Sequence, residues 1–372
     1  MQSSRSAPST LALEDLRSIV SGQVIAPGDD IYEEARAIFP GGIDRHPAVI
    51  VRVADASDVS AVVALARDTG MELAVRSGGH SVNAVSDGGI VIDLCDMKGF
   101  EIDVEGRTAW AEAGLTAGEF TGLAGEHGLA APFGDTGSVG IGGITLAGGV
   151  GYLVRKHGLT IDNLEAAEIV TADGQLLNID AAAHPDLFWA IRGGGGNFGV
   201  LTRFKFRLHE VGTIVGGMLI LPATADVIVS FMEEAAGASE DLSTIANVMP
   251  APPMAFIPED QHGRLIIMAL MACVGDLENG EKTMERFRRL ATPIADMVKP
   301  MPYPEIYPPE EEGYHPVATG RTLFVDAVDR PMAESILSYL KSSTAMMQVA
   351  QLRCSAGPWP GCRSRRPPLP TA

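Results

Sequence analysis

The chain alternates apolar and polar side chains from Val200 to Leu208, the pattern of a strand with one buried face. Its apolar face carries Val200, Phe204 and Phe206, while the opposite face is basic. Upstream, two apolar runs flank an Asp-Gly turn at Asp173, which predicts a β-hairpin. This part of the chain is therefore expected to be rich in strands.

Between residues 49 and 94, short apolar runs are separated by one stretch with helical periodicity. The pattern predicts strands at Val49–Val53, Met71–Val75 and Ile90–Leu94. The helix after the first strand is expected to begin at a cap on Ser57 or Asp58 and to end at a glycine, as helices commonly do.

After about residue 210 glycine becomes rarer, and longer strands alternate with helices. Strands are predicted at Ile214–Leu221 and Arg264–Val274, and helices at Asp226–Ala236 and Glu281–Leu290. This arrangement predicts a second domain built on an antiparallel sheet.

Acidic residues outnumber basic ones, 47 to 28, which gives a formal net charge of −19. The absence of a basic stripe argues against nucleic-acid and membrane partners. No apolar run approaches the roughly 18 residues of a membrane span, and the first residues lack the apolar core of a signal peptide. The four cysteines have no CxxC spacing, so we expect a cytoplasmic protein with reduced thiols.

Two glycine-rich segments carry the candidate chemistry. Arg76–Ser81 reads RSGGHS directly after a predicted strand, and Phe133–Gly151, FGDTGSVGIGGITLAGGVG, contains eight glycines. Successive backbone N–H groups freed by glycine form an anion site without lysine, which suits a pyrophosphate in an acidic protein. Because both segments lie near strand ends, we expect them to converge on one dinucleotide.

Other chemistries lack local support in the sequence. Gly194, Gly196 and Gly199 fit G-x-G-x-x-G, but a helix precedes them and a strand follows, the reverse of the Rossmann order. The eight histidines form no HxH or HExxH pair, so no metal site is predicted. The P-loop and G-x-S-x-G patterns do not occur.

Four motifs follow one another between about residues 44 and 212: RSGGHS, GDTGSVGIGG with LAGGVG, RKHGLTIDN, and FWAIRGGGGNFGVLTRFKF. Together they resemble the FAD-linked oxidases of the berberine-bridge-enzyme type, which share the FAD-binding fold of vanillyl-alcohol oxidase and p-cresol methylhydroxylase. The resemblance implies a tightly bound, often covalent FAD. It also implies an α+β fold, with a two-subdomain FAD-binding domain and an antiparallel-sheet substrate domain with helices.

Carried over position by position, the first motif wraps the FAD pyrophosphate through its backbone. The cofactor-binding residues that the resemblance implies here are Arg76, Ser77, Gly78, Gly79, His80 and Ser81. His80 stands where the family attaches the flavin 8α-methyl group, and a neutral imidazole nitrogen is nucleophilic near pH 7. The alternative is a turn histidine that hydrogen-bonds its neighbours; the other three motifs favour attachment.

The second motif is expected to lie along the cofactor through Thr136, Gly137, Val139, Gly140, Gly142 and Gly143. Bicovalent relatives carry a cysteine at the position of Thr136, and a threonine hydroxyl cannot form the thioether. The resemblance therefore implies a single link through His80, as in oxidases of the 6-hydroxy-D-nicotine type. Val200 is expected either to meet the flavin through its backbone or to serve only as strand core.

Tyr152 follows the GGVG turn and is the candidate catalytic residue that could face the flavin ring; the alternative is a packed aromatic. His157 and Asn163 are interpreted as structural. Tyr314 and His315 lie in the polar stretch EEEGYHP, which favours a solvated loop over a substrate contact.

The expected organisation is an N-terminal helical segment at 1–43, an FAD-binding domain at 44–212 and a substrate domain at 213–353. Residues 354–372 are proline-rich and basic, and they fit no core pattern. We expect them to be a disordered tail, and we interpret this end as the product of a reading-frame shift. Nothing after Leu352 resembles the family's last segment, so the C-terminal part is expected to be missing.

The predicted function is that of an FAD-dependent oxidase. Hydride would pass from a C–H bond of a small alcohol, sugar or amine to flavin N5, with O2 or another acceptor taking the electrons. Two alternatives stay open: a truncated chain of the same family with weak or no activity, and a small-molecule-binding protein on the same fold. The sequence identifies no general base.

Overall fold

The computed structural model describes residues 10–307 and 313–354. The helices are α1 (Thr10–Ile19), α2 (Tyr32–Arg36), α3 (Ala56–Thr69), α4 (Ala117–Gly125), α5 (Ile141–Ala147), α6 (Val154–His157), α7 (Pro185–Gly194), α8 (Ala225–Gly237), α9 (Leu277–Arg288) and α10 (Arg330–Ser342). Short 3-10 helices are found at Thr160–Asn163, Gly195–Phe198, Glu259–Gln261 and Tyr303–Ile306. Apart from Cys354, the predicted tail lies outside the described residues.

The strands are β1 (Gln23–Ile25), β2 (Val49–Arg52), β3 (Leu73–Arg76), β4 (Ile90–Asp93), β5 (Phe100–Asp103), β6 (Thr108–Glu112), β7 (Leu129–Ala130), β8 (Leu164–Val170), β9 (Leu176–Asp180), β10 (Val200–Arg207), β11 (His209–Glu210), β12 (Thr213–Pro222), β13 (Leu242–Pro250), β14 (Leu265–Cys273), β15 (Ala295–Asp296), β16 (Lys299–Pro302) and β17 (Ala350–Arg353). Helices and largely antiparallel sheets together confirm the predicted α+β class.

The described chain divides into two compact units that are interleaved along the sequence. Of the described residues, the first unit takes 10–150, 159–209, 307 and 313–320, and the second takes 151–158, 210–306 and 321–354. The predicted limits, 44–212 and 213–353, are continuous stretches, so the two divisions are not the same. They differ at 151–158, at 210–212 and at the described residues 307 and 313–320, and residues 10–43 group with the first unit instead of forming a segment of their own.

The first unit contains two sheets of four or more strands. A four-stranded sheet has the order β1-β2-β4-β3, in which β2, β4 and β3 are parallel and β1 is antiparallel to β2. A five-stranded antiparallel sheet has the order β5-β6-β10-β8-β9. Side chains from both sheets share one core, in which Phe120, Phe133 and Phe206 pack edge to face. Two sheets in one unit match the predicted two subdomains.

The second unit is built on an antiparallel sheet of order β15-β12-β14-β13-β17, with β16 also paired to β12. Helices α8, α9 and α10 cover it with an apolar core that includes a Phe231–Phe287 ring contact at 4.9 Å. The buried Arg155 of α6 donates hydrogen bonds to the carbonyls of Ala235, Ala238 and Leu242, each at 2.9 Å. These bonds explain why residues 151–158 group with this unit.

Two local expectations needed correction. Helix α3 is capped by Asp55, whose side chain accepts from the backbone N–H groups of Ser57 and Asp58, and not by Ser57 or Asp58. Asp58 is buried and accepts instead from the N–H groups of Ser21 and Gly22 at 2.7 and 2.9 Å. These two bonds hold the N-terminal segment against α3. That segment was expected to be helical, but it contains strand β1 besides α1 and α2.

Candidate functional site

The first glycine loop, residues 76–81, leaves the end of β3. The Ser77 hydroxyl donates to the Ala113 carbonyl at 2.5 Å, and the Gly79 carbonyl accepts from the N–H of Phe39 at 3.0 Å. Gly79 has a φ of +73°, a left-handed conformation that favours glycine. Ser81, predicted on the cofactor, is exposed at the end of this loop.

Arg76 holds the base of this loop in place. Its guanidinium is buried, pairs with the fully buried Asp93 and donates to the carbonyls of Ala35 and Ala37. Arg52 also contacts Asp93, at 3.4 Å. These partners occupy the Arg76 side chain inside the fold, so the loop's own contribution to an anion site comes from its backbone.

The second glycine loop, residues 134–143, runs along the start of α4. The carbonyls of Gly137 and Val139 accept from the N–H groups of Gly118 and Ala117 at 2.8 and 2.9 Å. Through these bonds, both carbonyl groups point towards the protein interior. The loop then enters α5, so this glycine-rich segment contains a helix that its composition did not indicate.

The two loops touch through their backbones, as the sequence predicted. A Cβ placed on Gly78 would lie 2.2 Å from the backbone nitrogen of Gly140 and 2.8 Å from the carbonyl oxygen of Ser138. A Cβ on Gly140 would lie 2.1 Å from the Ser77 hydroxyl. Only glycine fits at both positions. Two glycine loops in backbone contact, with carbonyls bonded inward, fit the diphosphate of a dinucleotide.

His80 lies at this junction between two neighbours. Its Nε2 is 2.7 Å from the Ser138 hydroxyl. Its ring stacks on Phe39, with centroids 4.2 Å apart and planes 19° from parallel. The histidine singled out by the sequence is thus held by one residue of the second loop and one of the N-terminal segment. Sequence reasoning did not identify either neighbour.

Tyr307 and the described residues 313–320 also reach this region of the first unit. The Tyr307 hydroxyl donates to the Gly134 carbonyl at 2.9 Å, and the Tyr314 ring lies edge-on to Phe39 at 6.2 Å. His315 Nδ1 is 2.9 Å from the Ile38 carbonyl. Tyr314 and His315 are exposed, as expected for a solvated loop, but they lie beside the residue that stacks on His80.

The remaining predicted residues occupy varied positions. Gly142 approaches Ser77, whereas Gly143 is exposed and a Cβ there would meet open space. Thr136 is half-buried in the second loop. Val200 is buried in β10 opposite Val170, which places its side chain in the strand core. The flavin contacts of these residues stay predictions.

Tyr152 is 2% exposed and belongs to the segment that groups with the second unit. A ring buried to this extent is packed on most of its surface, which agrees with the packed-aromatic alternative. Its catalytic role stays a prediction.

Burial shifts the pKa of two groups in the first unit. It raises the pKa of the Cys95 thiol to about 12, so this thiol stays protonated and is a weak nucleophile. Burial, with the nearby Arg207 and Arg107, lowers the pKa of His209 to about 4. The neutral His209 ring lies 2.6 Å from the Asn163 side-chain oxygen, a structural contact as expected for Asn163.

Within residues 10–307 and 313–354, no group of three or more His, Cys, Asp or Glu side chains is arranged to hold a metal ion. None of the helices in this described part combines the length and the apolar character needed to cross a membrane.

Residues 47–180 match the FAD binding domain family. (R)-6-hydroxynicotine oxidase of Paenarthrobacter nicotinovorans is 34% identical over 293 residues, which are 77% of this chain and 62% of that protein. Berberine bridge enzyme-like 4 of Arabidopsis thaliana is 39% identical over 173 residues, 45% of this chain and 32% of that protein. The chain thus spans less than two thirds of the length of these relatives.

The crystal structure of 6-hydroxy-D-nicotine oxidase from Arthrobacter nicotinovorans superposes with a TM-score of 0.70 at 32% identity, covering 77% of this chain and 63% of that one. The matched domain contains both glycine loops. Residues 47–180 thus belong to the FAD binding domain family, and the chain has the vanillyl-alcohol oxidase and p-cresol methylhydroxylase fold of the FAD-linked oxidases that it is similar to.

Proposed function

We propose that the protein is an FAD-dependent oxidase of small molecules. The observation that carries this proposal is the backbone contact between Gly78 and Gly140, with His80 beside it. That contact joins two loops into one surface of backbone groups, and glycine at both positions is required for it. When bound, FAD supplies hydride acceptance from a substrate C–H bond and electron transfer to O2.

The chain's own contribution to cofactor binding is a surface of uncharged backbone groups. Gly137 and Val139 turn their carbonyls away into hydrogen bonds with Gly118 and Ala117, which lowers the repulsion that an anionic diphosphate would meet. Arg76 stabilises the first loop through its ion pair with the buried Asp93. Backbone N–H groups act at short range, whereas repulsion from distant charges is screened by salt. The net charge of −19 therefore does not oppose binding at the loops.

We further propose that FAD is attached covalently through His80. The ring is held by Phe39 on one face and by Ser138 at Nε2, so its position is fixed relative to both loops. Thr136, at the position of the second attachment residue in bicovalent relatives, offers a hydroxyl in place of a thiol. A single histidyl link is the covalent arrangement that these residues allow.

The substrate class that we propose is a small amine, with alcohols and sugars as the other classes to test. The relative that is 34% identical is named for oxidation of hydroxynicotine, a cyclic amine, which supports testing amines first. Chitooligosaccharide oxidase shares the fold alone, at 23% identity, so it sets no preference for sugars. We propose O2 as the acceptor and a cytoplasmic location.

Purified protein tests the proposal directly. A flavin absorption spectrum and peroxide production with an amine, a sugar or a secondary alcohol are expected. A yellow protein without turnover on any class would favour the weakly active or inactive alternative. A colourless protein that does not bind added FAD would contradict the flavin proposal and favour a binding protein that uses the fold without redox chemistry.

A further inference from the structure

His80 has a hydroxyl neighbour that the cofactor-binding motif did not assign. The Ser138 Oγ lies 2.7 Å from His80 Nε2, although 58 residues separate them in the sequence. The stacked Phe39 ring lies against the face of the imidazole at 4.2 Å. A ring held against one face and bonded at one nitrogen has a defined orientation about its side-chain torsions.

The backbone around Ser138 is fixed on both sides. The preceding carbonyl, of Gly137, accepts from Gly118, and the following carbonyl, of Val139, accepts from Ala117. The bridge between Thr116 and Gly140 continues the same pairing. The Ser138 hydroxyl is therefore presented to His80 by a short ladder of hydrogen bonds and not by a mobile turn.

A neutral imidazole has one nitrogen that donates and one that accepts, and a hydroxyl can pair with either because it both donates and accepts. We propose that Ser138 is a positioning residue for flavin attachment: its hydroxyl accepts from Nε2–H, fixes the ring orientation and directs the nucleophilic lone pair to Nδ1. This inference rests on the His80 link proposed above.

The overall attachment step balances with dioxygen as oxidant. A bond forms between His80 Nδ1 and the 8α carbon of the flavin, while the imidazole and the methyl group each lose one hydrogen. The two protons and two electrons released in this way reduce O2 to hydrogen peroxide. The Nε2–H that faces Ser138 is the hydrogen that the imidazole loses, so the same hydroxyl lies where that proton departs.

Ser138→Ala and Ser138→Thr, compared with the wild type, test the assignment. Total flavin is measured by absorbance, and covalent flavin by intact mass and by in-gel fluorescence after acid denaturation. Each protein is then incubated with excess FAD, and the covalent fraction is followed with time. We expect attachment to slow by about tenfold in Ser138→Ala, as for loss of one orienting hydrogen bond. Ser138→Thr, which keeps the hydroxyl, should restore the rate.

Three outcomes would overturn the assignment. Equal attachment rates in Ser138→Ala and the wild type would leave the His80 link intact and remove the role of Ser138. Loss of total flavin in Ser138→Ala, unrestored in Ser138→Thr, would mean a general role in binding. Absence of covalent flavin from the wild type itself would contradict the His80 link and this inference together. Melting temperatures of all three proteins distinguish these results from misfolding.

Discussion

Replacing Gly78 with alanine tests whether the two glycine loops need their backbone contact. The new Cβ would lie 2.2 Å from the Gly140 nitrogen, whereas ordinary contacts begin at 3.4 Å. One loop must therefore move by about 1.2 Å, and the atoms in the way are backbone, which does not rotate aside. Forced backbone shifts of this kind cost about 1–3 kcal/mol.

The cost is expected to appear in both stability and cofactor binding. If the loops separate, the same 1–3 kcal/mol corresponds to a loss of FAD affinity of about 5- to 150-fold. The affinity is measured by FAD titration in a His80→Ala background, so that binding stays reversible. Urea denaturation of Gly78→Ala alone gives the free energy of unfolding.

Gly122→Ala is the matched control, because a Cβ at this position in α4 would meet nothing within 4 Å. Alanine inside a helix is expected to be neutral or to stabilise by up to about 1 kcal/mol. If Gly78→Ala bound FAD within twofold of its background and unfolded at the same urea concentration as the wild type, the proposed loop contact would be wrong.

Two further variants test the interior around the site. Asp93→Asn should lower the free energy of unfolding by about 3–5 kcal/mol, because it leaves the buried Arg76 guanidinium without its charge partner; the exposed Asp96→Asn should change it by less than about 0.5 kcal/mol in the same urea titration. The pKa of His209 is 6.5 in the unfolded chain and about 4 in the folded protein, so the unfolded chain binds this proton more readily. Its stabilising contribution should therefore be complete above pH 6.5 and fall towards pH 4 by at most about 1.4 kcal/mol per pH unit, and His209→Gln should flatten that part of the pH–stability curve.

Local patterns predicted the elements that carry the site. The alternation after Val200 corresponds to β10, whose buried positions include Phe204 and Phe206 while Arg207 is exposed. The Asp-Gly turn joins β8 to β9 as a hairpin. The convergence of the two glycine loops also followed from the sequence, since glycine marks positions where another backbone comes close.

Contacts between distant residues could not be predicted in this way. Phe39 has no local signal that connects it to His80, because stacking depends on how the N-terminal segment folds back on the first loop. Asp58 was expected at a helix cap but is buried against Ser21 and Gly22, a tertiary contact that overrides its capping preference. Ser138 was within a recognised motif, yet its partner became evident only from the structure.

His80 is the residue proposed to link this chain to FAD, and peptide mapping identifies the attachment site. Purified protein is digested, and the peptide that contains His80 is analysed by tandem mass spectrometry. We expect a flavin adduct on His80. The adduct should be absent from His80→Ala protein, even if that variant is yellow. A yellow wild-type protein with unmodified His80, or with flavin on any other residue, would contradict it.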